Sequence, residues 1–110
     1  MQLPCHRRCD GFHDVYGRMK WDDVSPTITG SFPNPSKGRF LHPDQDRTLT
    51  LREGALLQTF PKDYKFPLSR GKYPVATMIG NALPPALAFA HASAIAETLR
   101  AKAPSETVRE

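Results

Sequence analysis

Three groups of residues in this 110-residue chain have types and spacing that could do chemistry. Near the start, Cys5 and Cys9 lie close to His13, so a zinc site of Cys5, Cys9 and His13 has to be weighed. The spacing matches no standard ligand pattern and no second ligand pair follows at a finger-like distance, so reduced thiols are the competing reading. In the middle, Thr27, Thr29, Ser36, Lys37 and Arg39 offer hydroxyl and cationic donors on a strand end and the loop after it. Such donors suit phosphates, and they also suit an ordinary solvated loop. Further on, Gly80-Asn81 reads as a turn feeding a helix N-terminus, where free amides and the macrodipole favour a negative group. Gly80 permits positive φ and close backbone approach. His42 and His91 have no carboxylate at a revealing spacing and read as packing or surface histidines.

The elements that must position these residues are short. Val15 to Trp21 reads as a strand, Asp22-Asp23 as a turn, and Ser25-Pro-Thr-Ile-Thr29 as a second strand with proline near its start. Gly30 to Asp46 is dense in Gly, Pro, Ser and Asn and is expected to be a surface loop carrying function. Thr50-Leu-Arg-Glu53 is a capping box that starts a helix running to about Phe60, where Pro61 cannot continue it. Gly54 in its first turn weakens it by roughly 0.5–1 kcal/mol relative to alanine. Arg47, Arg52 and Glu53 read structurally, with Glu53 engaged in capping and Arg52 free to pair with another body. A second helix is predicted from Pro84-Pro85 to about Lys102, thin with alanine, followed by a frayed tail over 103–110. Within 110 residues little is left to cover it, so its apolar face, Leu87, Ala94, Ile95 and Leu99, is expected to dock onto a larger body.

Composition bounds the whole. The chain is long enough for at most one small domain, and 11 prolines with 7 glycines exclude a helical bundle. Fifteen Lys and Arg against 11 Asp and Glu give a net charge of +4, which suits a polyanionic partner without requiring one. No apolar run approaches the about 18–20 residues that span a bilayer, and no signal peptide is evident, so a cytoplasmic location is expected.

Arg47-Thr-Leu-Thr-Leu-Arg-Glu-Gly-Ala-Leu-Leu-Gln-Thr-Phe-Pro61, followed by Ile79-Gly-Asn-Ala-Leu-Pro-Pro85, resembles the ninth and tenth motifs of DNA cytosine-5 methyltransferases in order and spacing. Asp10-Gly-Phe, Val15 to Trp21, Ser25 to Thr29 and Gly38-Arg-Phe-Leu-His-Pro43 resemble the end of the target-recognition domain of many bacterial members. Gly54, Leu83 and Thr77-Met78 depart mildly from the usual pattern. The resemblance implies an α/β fragment: short strands and a long loop followed by two helices, the last belonging to the catalytic domain. It implies residues 1–46 as the end of the recognition domain and 47–102 as the return to the catalytic domain. In that family the target cytosine is swung out of the duplex, a cysteine adds to C6, and C5 takes a methyl group from S-adenosylmethionine. By resemblance Gly80, Asn81 and Ala82 line the pocket for S-adenosylmethionine, and the donors from Thr27 to Arg39 grip double-stranded DNA.

The family's glycine-containing cofactor loop, its Pro-Cys nucleophile loop and its Glu-Asn-Val motif match nothing in these residues. Pro4-Cys5 has the nucleophile dipeptide, but it lies just before recognition-domain sequence and is followed by His-Arg-Arg. The expectation is therefore no catalytic residue here and no methyl transfer by the chain alone. Two readings stay open: part of an enzyme whose N-terminal portion is a separate chain or was lost by truncation, and a non-enzymatic DNA-binding or regulatory fragment.

Overall fold

A computed structural model of the chain describes residues 14–102. Cys5, Cys9, His13, the Asp10-Gly-Phe segment and the tail expected to fray lie outside the described residues. Among the described residues three helices occur in the order α1 (Leu51–Leu57), α2 (Lys72–Asn81) and α3 (Pro85–Lys102), preceded by a 3-10 turn at Pro35–Lys37.

Helix α1 begins as its sequence dictates. The Thr50 hydroxyl accepts from the Glu53 amide and the Glu53 carboxylate accepts from the Thr50 amide at 2.7 Å. It ends earlier than the expected Phe60, because Thr59 turns left-handed at φ 64°. The Thr59 amide then donates to Leu56 O at 2.9 Å and the Phe60 amide to Ala55 O at 2.9 Å, the crossed pair of a Schellman motif.

Helix α2 corrects the sequence reading, which placed a turn at Gly80-Asn81 and only two helices after the loop. These two residues instead form the last turn of α2. Gly71, at φ 89°, starts that helix, and Pro74 falls in its first turn, where a missing amide costs no hydrogen bond. Val75, Thr77, Ile79 and Gly80 are poor helix formers, and the helix holds because Val75, Ala76 and Ile79 are buried.

The expected α/β character is also corrected: among the described residues no β-strand forms, only isolated bridges. Val15 to Trp21 contributes one parallel bridge, Arg18 to Leu41, and Leu41 in turn pairs antiparallel with Thr48. Met19 N–H donates to Leu41 O at 2.9 Å, and Leu41 N–H to Gly17 O at 3.1 Å. Ser25 to Thr29 forms no ladder or bridge, and Pro26 has no amide to give one.

The loop over 30–46 does more than cross the surface. Phe32 and Phe40 from it are buried with rings 6.5 Å apart, and with Ile28, Leu49, Ala55, Val75, Ala76 and Ile79 they make the core. A Cβ on Gly54 would overlap the Phe32 ring, so the glycine that weakens α1 locally is the space this core needs. Helix α3 has no buried residue.

Candidate functional site

The elements bring the two candidate groups back to back. Ile28 points into the core while Thr27 and Thr29 on either side are exposed, the alternation of extended backbone. Behind Thr29 lies the end of α2. A Cβ on Gly80 would sit 2.6 Å from the Thr29 carbonyl oxygen and closer still to the Thr29–Gly30 peptide. Gly80 is thus required for close approach, as the sequence suggested, but in helical conformation rather than through positive φ.

Asn81 closes α2 with an exposed side chain, and Ala82 turns extended (φ −72°, ψ 140°) with its amide donating to Ile79 O at 3.2 Å. The expected anion site at the following helix N-terminus does not fit. Pro84 and Pro85 have no amide, and the Ala86 amide already donates to the Thr59 hydroxyl at 3.0 Å. What Gly80, Asn81 and Ala82 present is an exposed carboxamide with two donors and an acceptor beside an extended backbone.

Among the donors named from sequence, Lys37 and Arg39 are exposed and form no ion pair with the described residues. Ser36 differs. Its amide and hydroxyl both donate to Asn34 Oδ1, at 3.0 and 2.8 Å, so that hydroxyl proton is engaged in capping the 3-10 turn. Arg39 lies flat over Gly17, where a Cβ would stand 2.7 Å from its Cγ and Nε. Lys20, which the sequence reading passed over, joins Arg18, Asp23, Ser25 and Arg39 around a cleft of about 230 Å³. Arg18 itself is held, donating to His42 O at 2.6 Å, Gln45 O at 2.7 Å and Asp46 Oδ1 at 2.7 Å.

The loop that ends this edge is fixed on α1 by charge. Arg47 makes a two-pronged contact with Glu53, Nη1 to Oε2 and Nη2 to Oε1, both 2.8 Å. Hydrogen bonds from Arg47, then those from Thr50, outweigh burial and hold the Glu53 carboxyl down at about 2. His42 is buried, with Nδ1 accepting the Asp44 and Gln45 amides at 3.2 and 3.1 Å and Nε2 3.9 Å from Glu53 Oε1. Its ring meets Trp21 edge-on at 5.5 Å. His42 is therefore a packing histidine, as expected, with a carboxylate neighbour that an 11-residue separation did not reveal. Arg52 makes no ion pair among the described residues and lies 5.6 Å from the Phe66 ring centroid. A second, mainly apolar cavity of about 320 Å³ lies between Trp21, His42, Glu53, Leu56 and Leu57, and its His42 and Glu53 are already engaged, by the Asp44 and Gln45 amides and by Arg47. Among the described residues no cluster of three or more His, Cys, Asp or Glu side chains is arranged for a metal, and no helix is long and apolar enough to cross a membrane.

Residues 6–97 match the family model for C-5 cytosine-specific DNA methylase. The chain is 46% identical over 109 residues to type II methylase M.HgiDII of Herpetosiphon aurantiacus, covering 96% of this chain and 31% of that protein. It is 42% identical over 87 residues to type II methyltransferase M1.BsuMI of Bacillus subtilis (strain 168), covering 77% of this chain and 20% of that one. A third relative, DNA (cytosine-5)-methyltransferase 1B of Oryza sativa subsp. japonica, is 40% identical over 98 residues, 87% of this chain and 6% of its own length. These relatives are named as methylases or methyltransferases, and the chain belongs to the C-5 cytosine-specific DNA methylase family. It spans no more than about a third of the length of the relatives it matches.

Proposed function

We propose that this chain is the C-terminal part of a DNA cytosine-5 methyltransferase, supplying part of the grip on duplex DNA and one wall of the S-adenosylmethionine pocket. Residues 1–46 form the end of the target-recognition domain and 47–102 the return to the catalytic domain. The observation that carries this reading is the seating of Gly80 on the Thr29–Gly30 peptide, which ties the segment proposed for DNA directly to the one proposed for cofactor.

The methyl group comes from S-adenosylmethionine when it is bound. Asn81 offers its carboxamide to the polar end of that molecule, Ala82 its extended backbone, and Gly80 lets both sit close to the DNA side. Thr27, Thr29, Lys37 and Arg39 face phosphates and base edges, with Lys20 added to the set by its place in the cleft. Ser36 contributes as an acceptor and turn former. The nucleophile and the remaining cofactor contacts belong to an N-terminal portion, so the chain alone transfers no methyl group.

Mixing the chain with a separately made N-terminal portion that carries the family's nucleophile loop tests this. Labelled methyl incorporation into duplex DNA should arise only in the mixture. In it, Asn81→Ala should raise KM for S-adenosylmethionine, and Arg39→Ala should weaken DNA binding and reduce its salt slope by about one counterion. Incorporation by the chain alone that vanished in Cys5→Ser would overturn the assignment and make Cys5 the nucleophile.

A further inference from the structure

The dipeptide Gln58-Thr59 has a backbone conformation and a set of hydrogen bonds that the reading above does not use. Thr59 is β-branched yet stands at φ 64°, a conformation such residues avoid. Closing α1 requires a left-handed residue there, and glycine would satisfy that requirement without strain. The threonine side chain does something glycine cannot. Its Oγ1 accepts the Ala86 amide at 3.0 Å, and Ala86 is the first residue of α3 to have an amide, since Pro84 and Pro85 have none. The usual cap position, Pro84, has no side-chain acceptor, so Thr59, 27 positions before Ala86, caps this helix. Next to it, Gln58 Nε2 donates to Ile79 O at 3.0 Å and reaches Ala82 O at 3.5 Å, carbonyls at the open C-terminal end of α2.

We infer that Gln58 and Thr59 are positioning residues that clamp the α2–α3 junction, Ile79 to Ala86, from both sides and so fix the orientation of Asn81. The end of α1 is thereby fastened to the segment that faces cofactor. The strained Thr59 conformation is kept because one residue must both end α1 and cap α3. The clamp follows from the geometry above; its effect on cofactor rests on the proposed role of Asn81.

The test separates the two. NMR measurement of amide–water exchange on the full chain should show Ala86 exchanging about five- to tenfold faster in Thr59→Gly, with α1 amides unchanged or slower. Thr59→Ser should return Ala86 to its original rate. Because glycine suits the left-handed position, Thr59→Gly keeps the fold of α1 and the comparison stays decisive. In the mixture with the N-terminal portion, Thr59→Gly should raise KM for S-adenosylmethionine several-fold, leaving kcat and KM for DNA unchanged, and Thr59→Ser should rescue it. An Ala86 amide indifferent to Thr59→Gly would overturn the clamp outright. A raised KM in Asn81→Ala without one in Thr59→Gly would overturn its positioning role. If Asn81→Ala itself left that KM unchanged, the cofactor reading would fall while the exchange data still decided the clamp.

Discussion

Helix α2 and helix α3 follow one another with three residues between them and live in different environments. The ten residues of α2 bury Val75, Ala76 and Ile79 against Phe32 and Phe40, although proline, glycine and β-branched residues make it intrinsically weak. The 18 residues of α3 are rich in alanine and bury none. Phe89 is 75% exposed, Leu99 65% and Ile95 61%. Packing holds the poor helix former, and local propensity with one borrowed cap holds the good one. On the proposed reading, the apolar residues that α3 leaves exposed are the surface that meets the N-terminal portion.

The sharpest way to break this comparison is to remove matching rings from the two regions. Phe32→Ala, at a fully buried site, should cost about 3–5 kcal/mol in denaturant unfolding and leave little folded chain. Phe89→Ala should stay within about 0.5 kcal/mol. Equal losses would mean that α3 is covered and the contrast is false.

Next in size is Gly80→Ala, which puts a methyl group into the Thr29–Gly30 peptide. Backbone cannot move aside as a side-chain tip can, so the substitution should destabilise by about 1–3 kcal/mol although alanine is the better helix former. The analogous Gly54→Ala should also destabilise, through Phe32. A gain in melting temperature from either would show that the buried region tolerates what the geometry forbids.

Glu53 gives a smaller effect with a defined pH window. Its folded carboxyl lies at about 2, below the ordinary 4.5, so its contribution is present above 4.5 and lost as pH falls toward 2. With the pair partly solvent-exposed, the loss should be only about 1 kcal/mol. It should appear as an acid limb in the unfolding free energy that Arg47→Met flattens. Limbs of equal steepness in both proteins would separate the carboxyl's shift from Arg47.

Much of this was legible in the sequence where the signal is local. The capping box at Thr50 and Glu53, the start of α3 at its proline pair and the family motifs all depend on residues within a turn or two of each other. Helix α2 was missed because its residues argue against a helix and only burial of Val75 and Ile79 decides otherwise. The strands were over-read because a strand needs a partner, which composition cannot supply. At the site, Lys37 and Arg39 stand exposed as donor types suggest. Ser36 is tied to Asn34 two residues away, and Lys20 joins the cleft through chain crossings that no motif records.

The smallest effect expected in the chain alone is the most telling about what surrounds it. Ile95 and Leu99 lie one turn apart on α3, with His91, Ala94 and Thr98 beside them, in a shallow groove. Replacing Leu99 by lysine removes apolar surface that is already in water and sets a cation near a helix C-terminus, where it is mildly favourable. The isolated chain should therefore keep its unfolding midpoint within about 0.5 kcal/mol. If the groove receives an N-terminal catalytic portion, the same lysine must lose water inside an apolar contact, and association should weaken by about 2–4 kcal/mol, read as Kd between the two pieces. A lysine that changed neither quantity would leave the exposed stripe of α3 without a partner and the contrast between the two helices without a functional cause.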